Sequence, residues 1–399
     1  MAKIFVINAG RSSIKFKLFD MPKEVVIISG IVEKIGLNGS SVKIVFNNKK
    51  RNFKSSIKNH HDAIEVLLMI IIKMGAIQDL CEIKGIGHRV AHGGSYYNNS
   101  IIVDDSVVKE VEQLSELAPL HNPINLMGYK IIKERLPNIN QVFTFDTAFH
   151  HTLNQENYLY ALPYNFFTEF RVRKYGAHGI NHKYVSEQIK IMFKKDKLKM
   201  IICHLGNGSS ISAVKNSQCI DTSMGFTPLS GVMMGTRTGD IDPSIMPYLC
   251  NKMNKSPREI LDIYNNESGF LGISGISSDF RVIEKMYNQN DEYAIRTINL
   301  YSRMIAKYIG SYFVELGGCD VIAFTAGIGE NSSLLRKKII IEIQEALEVL
   351  IDDNLNNKNS NKNRIISSSK SNINLVVIPA NEEIMIARDT AKLLNIKED

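Results

Sequence analysis

Cysteine is scarce and scattered: Cys81, Cys203, Cys219, Cys250 and Cys319 are the only five in 399 residues, and no two form a C-x-x-C. An odd, widely spaced set excludes a disulfide framework and a zinc ribbon and fits a reducing cytoplasm. Long apolar runs are missing too. The longest charge-free apolar run, residues 66–72, falls far short of the ~18 residues that cross a bilayer. The opening MAKIFVINAG turns polar too soon for a signal h-region, so neither export nor a membrane role is expected. The common nucleotide signatures are also absent. There is no G-x-x-x-x-G-K-[ST] and no G-x-G-x-x-G, and Asp279-Phe280-Arg281 stands where a protein kinase would have D-F-G. H-E-x-x-H and G-x-S-x-G are missing, which removes the usual zinc-protease and serine-hydrolase readings.

What is present describes a folded globular chain. Apolar residues make up 44% and charged residues 22%, close to the globular average, and the length allows two or three domains. The net charge of +7 favours anionic ligands without requiring nucleic acid. IFVI (4–7), NAGRSS (8–13) and IKFKLF (14–19) read as two strands joined by a polar Gly/Ser turn, and the same grammar returns at 200–214 with MIICHL, GNGSS and ISAV. A duplicated lobe is the economical inference.

Helix signals lie between and after these hairpins: a capping box from Asp62 and Glu65, a cap at Asn122 followed by Pro123, and Ser256-Pro257-x-Glu259. A long helix is expected over 291–316, ending at Gly317-Gly318, followed by a strand over 320–327 and a helix from Ser332. Residues 352–374, with eight Asn, read as a surface loop before a strand at 375–379 and a closing helix near Asn381.

Three Gly/Ser turns, at 8–13, 206–210 and 327–332, expose backbone N–H groups and hydroxyls of the kind that cradle phosphate. Polar residues concentrate in GHRVAHGG (87–94), APLHNP (118–123), FDTAFHH (145–151), YGAHGINH (175–182) and GTRTGDIDP (235–243). Arg237, between two threonines, and Arg89, in a segment that begins and ends with glycine, suit carboxylate or phosphate. The spacings His88/His92 and His178/His182 could present two metal ligands on a helix, but the neighbouring glycines speak against helix there.

Taken in order from residue 3 to about 394, these segments, with HLGNGSS, DTSMGFTPLSG, SGISSDFR, FTAGIGEN and NEE, resemble the acetate kinase family of short-chain carboxylate kinases, within the acetate and sugar kinase, Hsp70 and actin superfamily. The resemblance implies an α/β fold of duplicated ribonuclease-H-like lobes with the active site in the cleft. The lobes would be residues 1–149 with 383–399, and 150–382 for the nucleotide-binding lobe. It also implies reversible, Mg²⁺-dependent phosphoryl transfer from ATP to acetate, giving acetyl phosphate and ADP, with Mn²⁺ as an alternative ion, in a cytoplasmic homodimer.

By the same resemblance, Arg89 would bind the carboxylate, with Ala91, Leu120, Ala177 and Pro228 around the acyl group. Arg237 and His178 would stabilise the phosphoryl group, with His121 beside them. Asp146, the family's usual acid/base, is better assigned to orienting Arg89 or a metal-bound water, because a carboxylate acceptor is already ionised at pH 7. Asn8 and Glu382 would anchor the metal. Lys15, His204, Leu205, Gly206, Asn207, Gly208, Asp279, Phe280, Arg281, Gly327, Ile328, Gly329, Glu330 and Asn331 would hold the nucleotide.

Three positions depart from the family pattern: Arg11 replaces a Ser in the first phosphate turn, Ala177 a Phe, and Ala91 a Val. The last two imply a pocket larger than acetate needs, hence a propionate or longer-chain kinase as the alternative, unless a neighbour such as Phe149, Phe226 or Met233 refills the space. A nucleotide-gated sensor on the same fold is the alternative of a different class.

Overall fold

Alternation builds the first sheet. In Ser13–Met21, Ile14, Phe16 and Leu18 are fully buried while Lys15 and Lys17 face the other way, the period of a strand with one covered face. The computed structural model describes residues 2–396, and the chain divides into two units, one holding residues up to Phe149 and those from Asn381 on, the other His150–Ala380. The expected return point at 383 is two residues late. The closing helix, Glu382–Leu393, packs as one piece on the first unit's sheet and takes Asn381 and Glu382 with it.

The first unit contains β1 (Ala2–Ala9), β2 (Ser13–Met21), β3 (Val25–Glu33), β4 (Ser41–Phe46), β5 (Lys49–Lys54), β6 (Ile83–Val90), β7 (Ile101–Ile102) and β8 (Gln141–Phe145), in the order β5-β4-β3-β2-β1-β6-β8-β7. β1, β6 and β8 run parallel; β2 to β5 form an antiparallel meander from β1. β5 is exposed along its whole length and reads KKRNFK.

The second unit contains β9 (Lys199–Leu205), β10 (Ser209–Lys215), β11 (Gln218–Thr222), β12 (Val321–Thr325), β13 (Arg364–Ile365) and β14 (Asn374–Val377), in the order β11-β10-β9-β12-β14-β13. β9, β12 and β14 are parallel, and β10 and β11 turn back from β9. The five strands β3-β2-β1-β6-β8 and β11-β10-β9-β12-β14 therefore repeat one ribonuclease-H-like plan, the duplication the two hairpins imply. In such sheets ligands gather beyond the carboxyl ends of the parallel strands.

The helix Glu292–Leu316 covers the second sheet. Its buried residues Ala294, Ile298, Tyr301, Ile305, Ile309, Tyr312 and Leu316 recur every three or four positions, Asp291 caps it, and Gly317 ends it at φ +64°. The box at Ser256 and Glu259 also forms as expected.

Other local expectations are corrected. The helix His60–Lys73 is capped by Asn59, whose side chain accepts from the Asp62 N–H, and Glu65 pairs with Arg135 instead of closing a box. Asn122 is the first residue of Asn122–Arg135, after His121 in the cap position, and its amide is engaged elsewhere. The third Gly/Ser turn is a short helix, Ala326–Asn331. Residues 352–374 are more than a surface loop: they contain the helical turn Asp353–Asn356 and β13, and Asn356, Ile366 and Ile373 are buried.

The closing helix lies tightly on β6. A Cβ on Gly87 would stand 2.5 Å from Ile386 Cγ2 and 2.6 Å from Thr390 Oγ1, closer than packed atoms tolerate. Gly87→Ala is expected to lower the unfolding free energy by ~1–3 kcal/mol, the usual cost of overpacking, as read from urea denaturation.

Candidate active site

In the first unit the functional side chains stand where the parallel strands end. Arg89 on β6 is paired in register with Thr144 of β8, which places Asp146 just past the strand end, its N–H donating to the Val90 carbonyl. Arg89 Nη2 donates to Asp146 Oδ2 at 2.7 Å, and Asp146 is almost wholly buried. Burial works against the Arg89 charge, but Asp146 and then Glu382 outweigh it and raise its pKa. Asp146 thus holds one arm of the Arg89 guanidinium.

Asn8 is half-buried near the end of β1, directly across from Lys15 on β2, and the closing helix brings Glu382 to the same strands. Burial, then repulsion from Asp146, pushes the Glu382 carboxyl up to about 7, with Arg89 and Lys15 pulling the other way. Burial also disfavours the charge on Glu383, but Lys17, 3.1 Å away, outweighs it and its pKa falls. Lys15, expected among the nucleotide residues, therefore sits with the carboxylate set. Arg11 is exposed in the 10–13 turn.

Two asparagines absent from the sequence-level candidates hold this region. Asn125 accepts from the Ala91 N–H at 3.0 Å and donates to the Ala9 carbonyl at 2.8 Å, tying β6 to the end of β1. Asn122 brackets His92, accepting from its N–H and donating to its carbonyl. Their i, i+3 spacing on one helix was the available signal. Ala91 is half-buried, and Leu120 and His121 are exposed at the start of that helix. His88 is buried against Gln141 Oε1 at 2.6 Å, and burial lowers its pKa to about 4. Among the described residues no cluster of three or more His, Cys, Asp or Glu is placed to hold a metal, so neither H-x-x-x-H spacing makes a zinc site.

In the second unit the motif YGAHG forms a tight bend. Gly176 has φ +75°, and a Cβ there would meet the His150 ring and Thr222; His150 Nε2 lies 3.0 Å from the Ala177 carbonyl. His178 itself has φ +58°, a left-handed conformation costly for a side-chain-bearing residue, at the head of the helix Gly179–Phe193. Its ring stacks on His204, centroids 4.0 Å apart. Ala177 is buried in a small apolar cluster with Met224 and Met234. These are not the neighbours expected beside it: Met233 belongs to the main core of the unit.

Arg237 Nη1 donates to the Pro228 carbonyl at 2.9 Å and lies 3.2 Å from Met234 Sδ. Among the described residues it makes no ion pair, and burial lowers its pKa. His178 Nε2 and Arg237 Nη2 converge on the phosphate turn: a Cβ built on Gly208 would be 3.3 Å from one and 3.6 Å from the other. Asn207 is exposed on that turn, Gly206 donates to the Gly208 carbonyl, and the Ser209 hydroxyl bonds Tyr301 at 2.7 Å, anchoring the turn to the long helix.

Of the remaining nucleotide candidates, Gly327, Ile328, Gly329, Glu330 and Asn331 lie in the short helix after β12. There the buried Arg336 donates to the Gly329 and Glu330 carbonyls, and Glu330 accepts from the Ala380 N–H. Asp279 caps the helix Phe280–Tyr287 and pairs with Arg281, which is exposed. Leu205 and Phe280 both have core-packed side chains, Phe280 against Phe270 and Tyr301.

A duplicated ribonuclease-H-like sheet with glycine-bearing turns after its first strands defines the actin-like ATPase fold, and the Arg237 guanidinium and His178 ring beside such a turn suit phosphoryl groups. The chain belongs to the acetokinase family, whose model matches residues 3–388. It is 48% identical to an acetate kinase of Geobacillus sp. (strain WCH70) over 99% of this chain and 100% of that one. It is 47% identical to an acetate kinase of Bacillus subtilis (strain 168) over 98% and 100%. Among solved structures, Porphyromonas gingivalis acetate kinase superposes with a TM-score of 0.92 at 40% identity, covering 99% and 100% of the two chains. A propionate kinase from Francisella tularensis gives 0.93 at 38%, covering 98% and 100%.

Glu382 titrates about 7 when folded against an ordinary value of 4.5, so across that window the folded chain keeps a proton that the unfolded chain has lost, and stability falls as pH rises. In metal-free protein, Glu382→Gln is expected to gain thermal stability relative to the unsubstituted chain between about pH 5 and about pH 8. Differential scanning calorimetry at both values checks this; a difference independent of pH would contradict it.

Proposed function

We propose that this chain catalyses reversible transfer of the γ-phosphoryl group of ATP to acetate, giving acetyl phosphate and ADP. The observation that carries the reading is Arg237, a half-buried guanidinium without an acidic partner among the described residues, aimed with His178 Nε2 at the Gly208 turn. The names of the relatives support the acid and the donor.

An ionised carboxylate needs no general base, since a comparable carboxyl has a pKa of about 4.3. The acetate oxygen forms a bond to the γ-phosphorus as the bond from that phosphorus to the ADP oxygen breaks, and the electron pair leaves with ADP. Arg89, fixed by Asp146, holds the carboxylate. Arg237 and the His178 N–H stabilise the equatorial oxygens, where charge concentrates in the transition state. The turns 206–208 and 327–331 are assigned to the nucleotide.

The donor set fits Mg²⁺, or Mn²⁺: Asn8 and Glu382 offer the oxygen ligands such cations take. An ion held there would supply charge neutralisation to the phosphoryl groups. Acetate is favoured over propionate by the full-length relatives, which are acetate kinases. A homodimer is supported by the second unit, where Tyr160, Leu162, Tyr164, Phe166 and Phe170 are exposed within one short segment. No helix among the described residues is long and apolar enough to cross a membrane, and all five cysteines are free thiols, as a reducing cytoplasm would keep them.

An acyl-hydroxamate assay with ATP, Mg²⁺ and acetate, propionate or butyrate tests the reading. The expected result is the highest kcat/KM on acetate; no hydroxamate from any acid would leave the sensor reading in its place.

Arg237→Ala is expected to lower kcat by ~10²–10³ with little change in KM, the usual cost of losing a preorganised charge donor. Arg89→Ala should also raise KM for the acid, roughly tenfold or more, as expected for a lost charge-assisted contact. Steady-state kinetics separates the two, and unaltered parameters in either variant would remove that residue from the site.

A further inference from the structure

Behind His178 a hydrogen-bonded line runs into the core of the second unit. Ser210, fully buried on β10, places its hydroxyl oxygen 2.9 Å from His178 Nδ1 and 2.8 Å from His182 Nε2. His182 lies one turn further along the helix that His178 heads. It is completely buried, and desolvation, reinforced by the nearby His150 and His204 rings, holds its pKa far below the usual imidazole range, so the ring is neutral.

A neutral imidazole carries one N–H, and His182 Nδ1 has no hydrogen-bond partner. A buried N–H without an acceptor is the rarer and costlier of the two vacancies, so the hydrogen resides on Nε2 and is donated to Ser210. The serine's own hydrogen then points to His178 Nδ1, which must accept it. That leaves the hydrogen of a neutral His178 on Nε2, the nitrogen facing the Gly208 turn. Asn181 is occupied differently, donating to His204 Nδ1 at 2.8 Å and so fixing the ring that stacks on His178.

We propose that Ser210 and His182 are positioning residues that lock His178 in its Nε2–H tautomer, presenting a donor rather than a lone pair to the transferring phosphoryl group. The purpose of this relay rests on the phosphoryl-transfer reading; its geometry does not. The line also opposes a charged His178: a second N–H at Nδ1 would turn the serine hydrogen away from its only acceptor.

Imidazole ¹⁵N–¹H correlation spectroscopy on uniformly labelled protein reads the tautomer directly, with His178→Gln identifying the resonances among the ten histidines. The expected spectrum shows His178 protonated at Nε2. In Ser210→Ala the hydrogen should distribute over both nitrogens, and kcat should fall by ~10–10³-fold while both KM values stay within about twofold; a wrong tautomer elsewhere costs up to ~10⁴. Ser210→Thr, which keeps the hydroxyl, should retain the tautomer and most of kcat.

Nδ1 protonation in the unsubstituted protein, an unchanged tautomer in Ser210→Ala, or an unchanged kcat in that variant would each overturn the relay. If Ser210→Ala does not fold, the spectrum of the unsubstituted protein decides. An unsubstituted protein that phosphorylates no carboxylate would sink the kinase reading, whereas the tautomer result stands apart from turnover.

Discussion

Asp146, Glu382 and Glu383 share one neighbourhood with Arg89, Lys15 and Lys17, and the balance of those charges constrains much of what surrounds them. Arg89 is held by Asp146 and also feels Glu382, so the group that would bind a carboxylate is itself pinned by two others. Bringing Glu382 there demands that the closing helix lie almost on the backbone of β6, and the bare Gly87 is what admits it. Asn125 then joins the ends of β1 and β6, fixing the distance between Asn8 and Arg89 through the main chain. Burial and then Asp146 raise the Glu382 pKa despite Arg89 and Lys15.

The second unit applies the same sheet plan to the opposite need. Its turn after β9 is surrounded by groups that donate: His178, Arg237 and backbone N–H. The acids nearby are engaged elsewhere, Asp279 with Arg281, and Glu330 with the Ala380 N–H. Uncompensated guanidinium is expensive to bury, and the chain tolerates it by giving Arg237 a carbonyl and a thioether instead of a carboxylate. A duplicated scaffold has thus diverged in charge more than in strand order.

Local signals were legible where a few neighbouring residues decide the outcome. The Ser256–Glu259 box, the Gly317 stop and the alternation of Ile14, Phe16 and Leu18 need nothing from the rest of the chain. Legibility failed where distant partners decide. Asn59 rather than Asp62 caps its helix, although both are cap-forming residues and the sequence does not rank them. The glycines of 327–331 read as a turn, yet Arg336 from a later helix holds their carbonyls in a helical one. Asn-rich composition marks 352–374 as solvent-facing, but Asn356 is buried because it accepts from that same arginine. Within the candidate site, the side chains with chemistry of their own stand in recognisable motifs, whereas Asn122, Asn125, Ser210 and His182 reach those motifs only through hydrogen-bond partners distant in sequence.

The sheet of the first unit ends in KKRNFK, a strand exposed along its full length whose outer edge has backbone groups to offer. Four cationic side chains on six residues make a second copy of that edge electrostatically repellent, so the strand cannot template its own addition into a fibre. At the other edge, and at one edge of the second sheet, β7 and β13 span only two residues each, too short to recruit a partner strand. Self-association through extended sheets is therefore blocked at three of four edges, and a crowded cell can hold this enzyme at high concentration without strand-to-strand coalescence there.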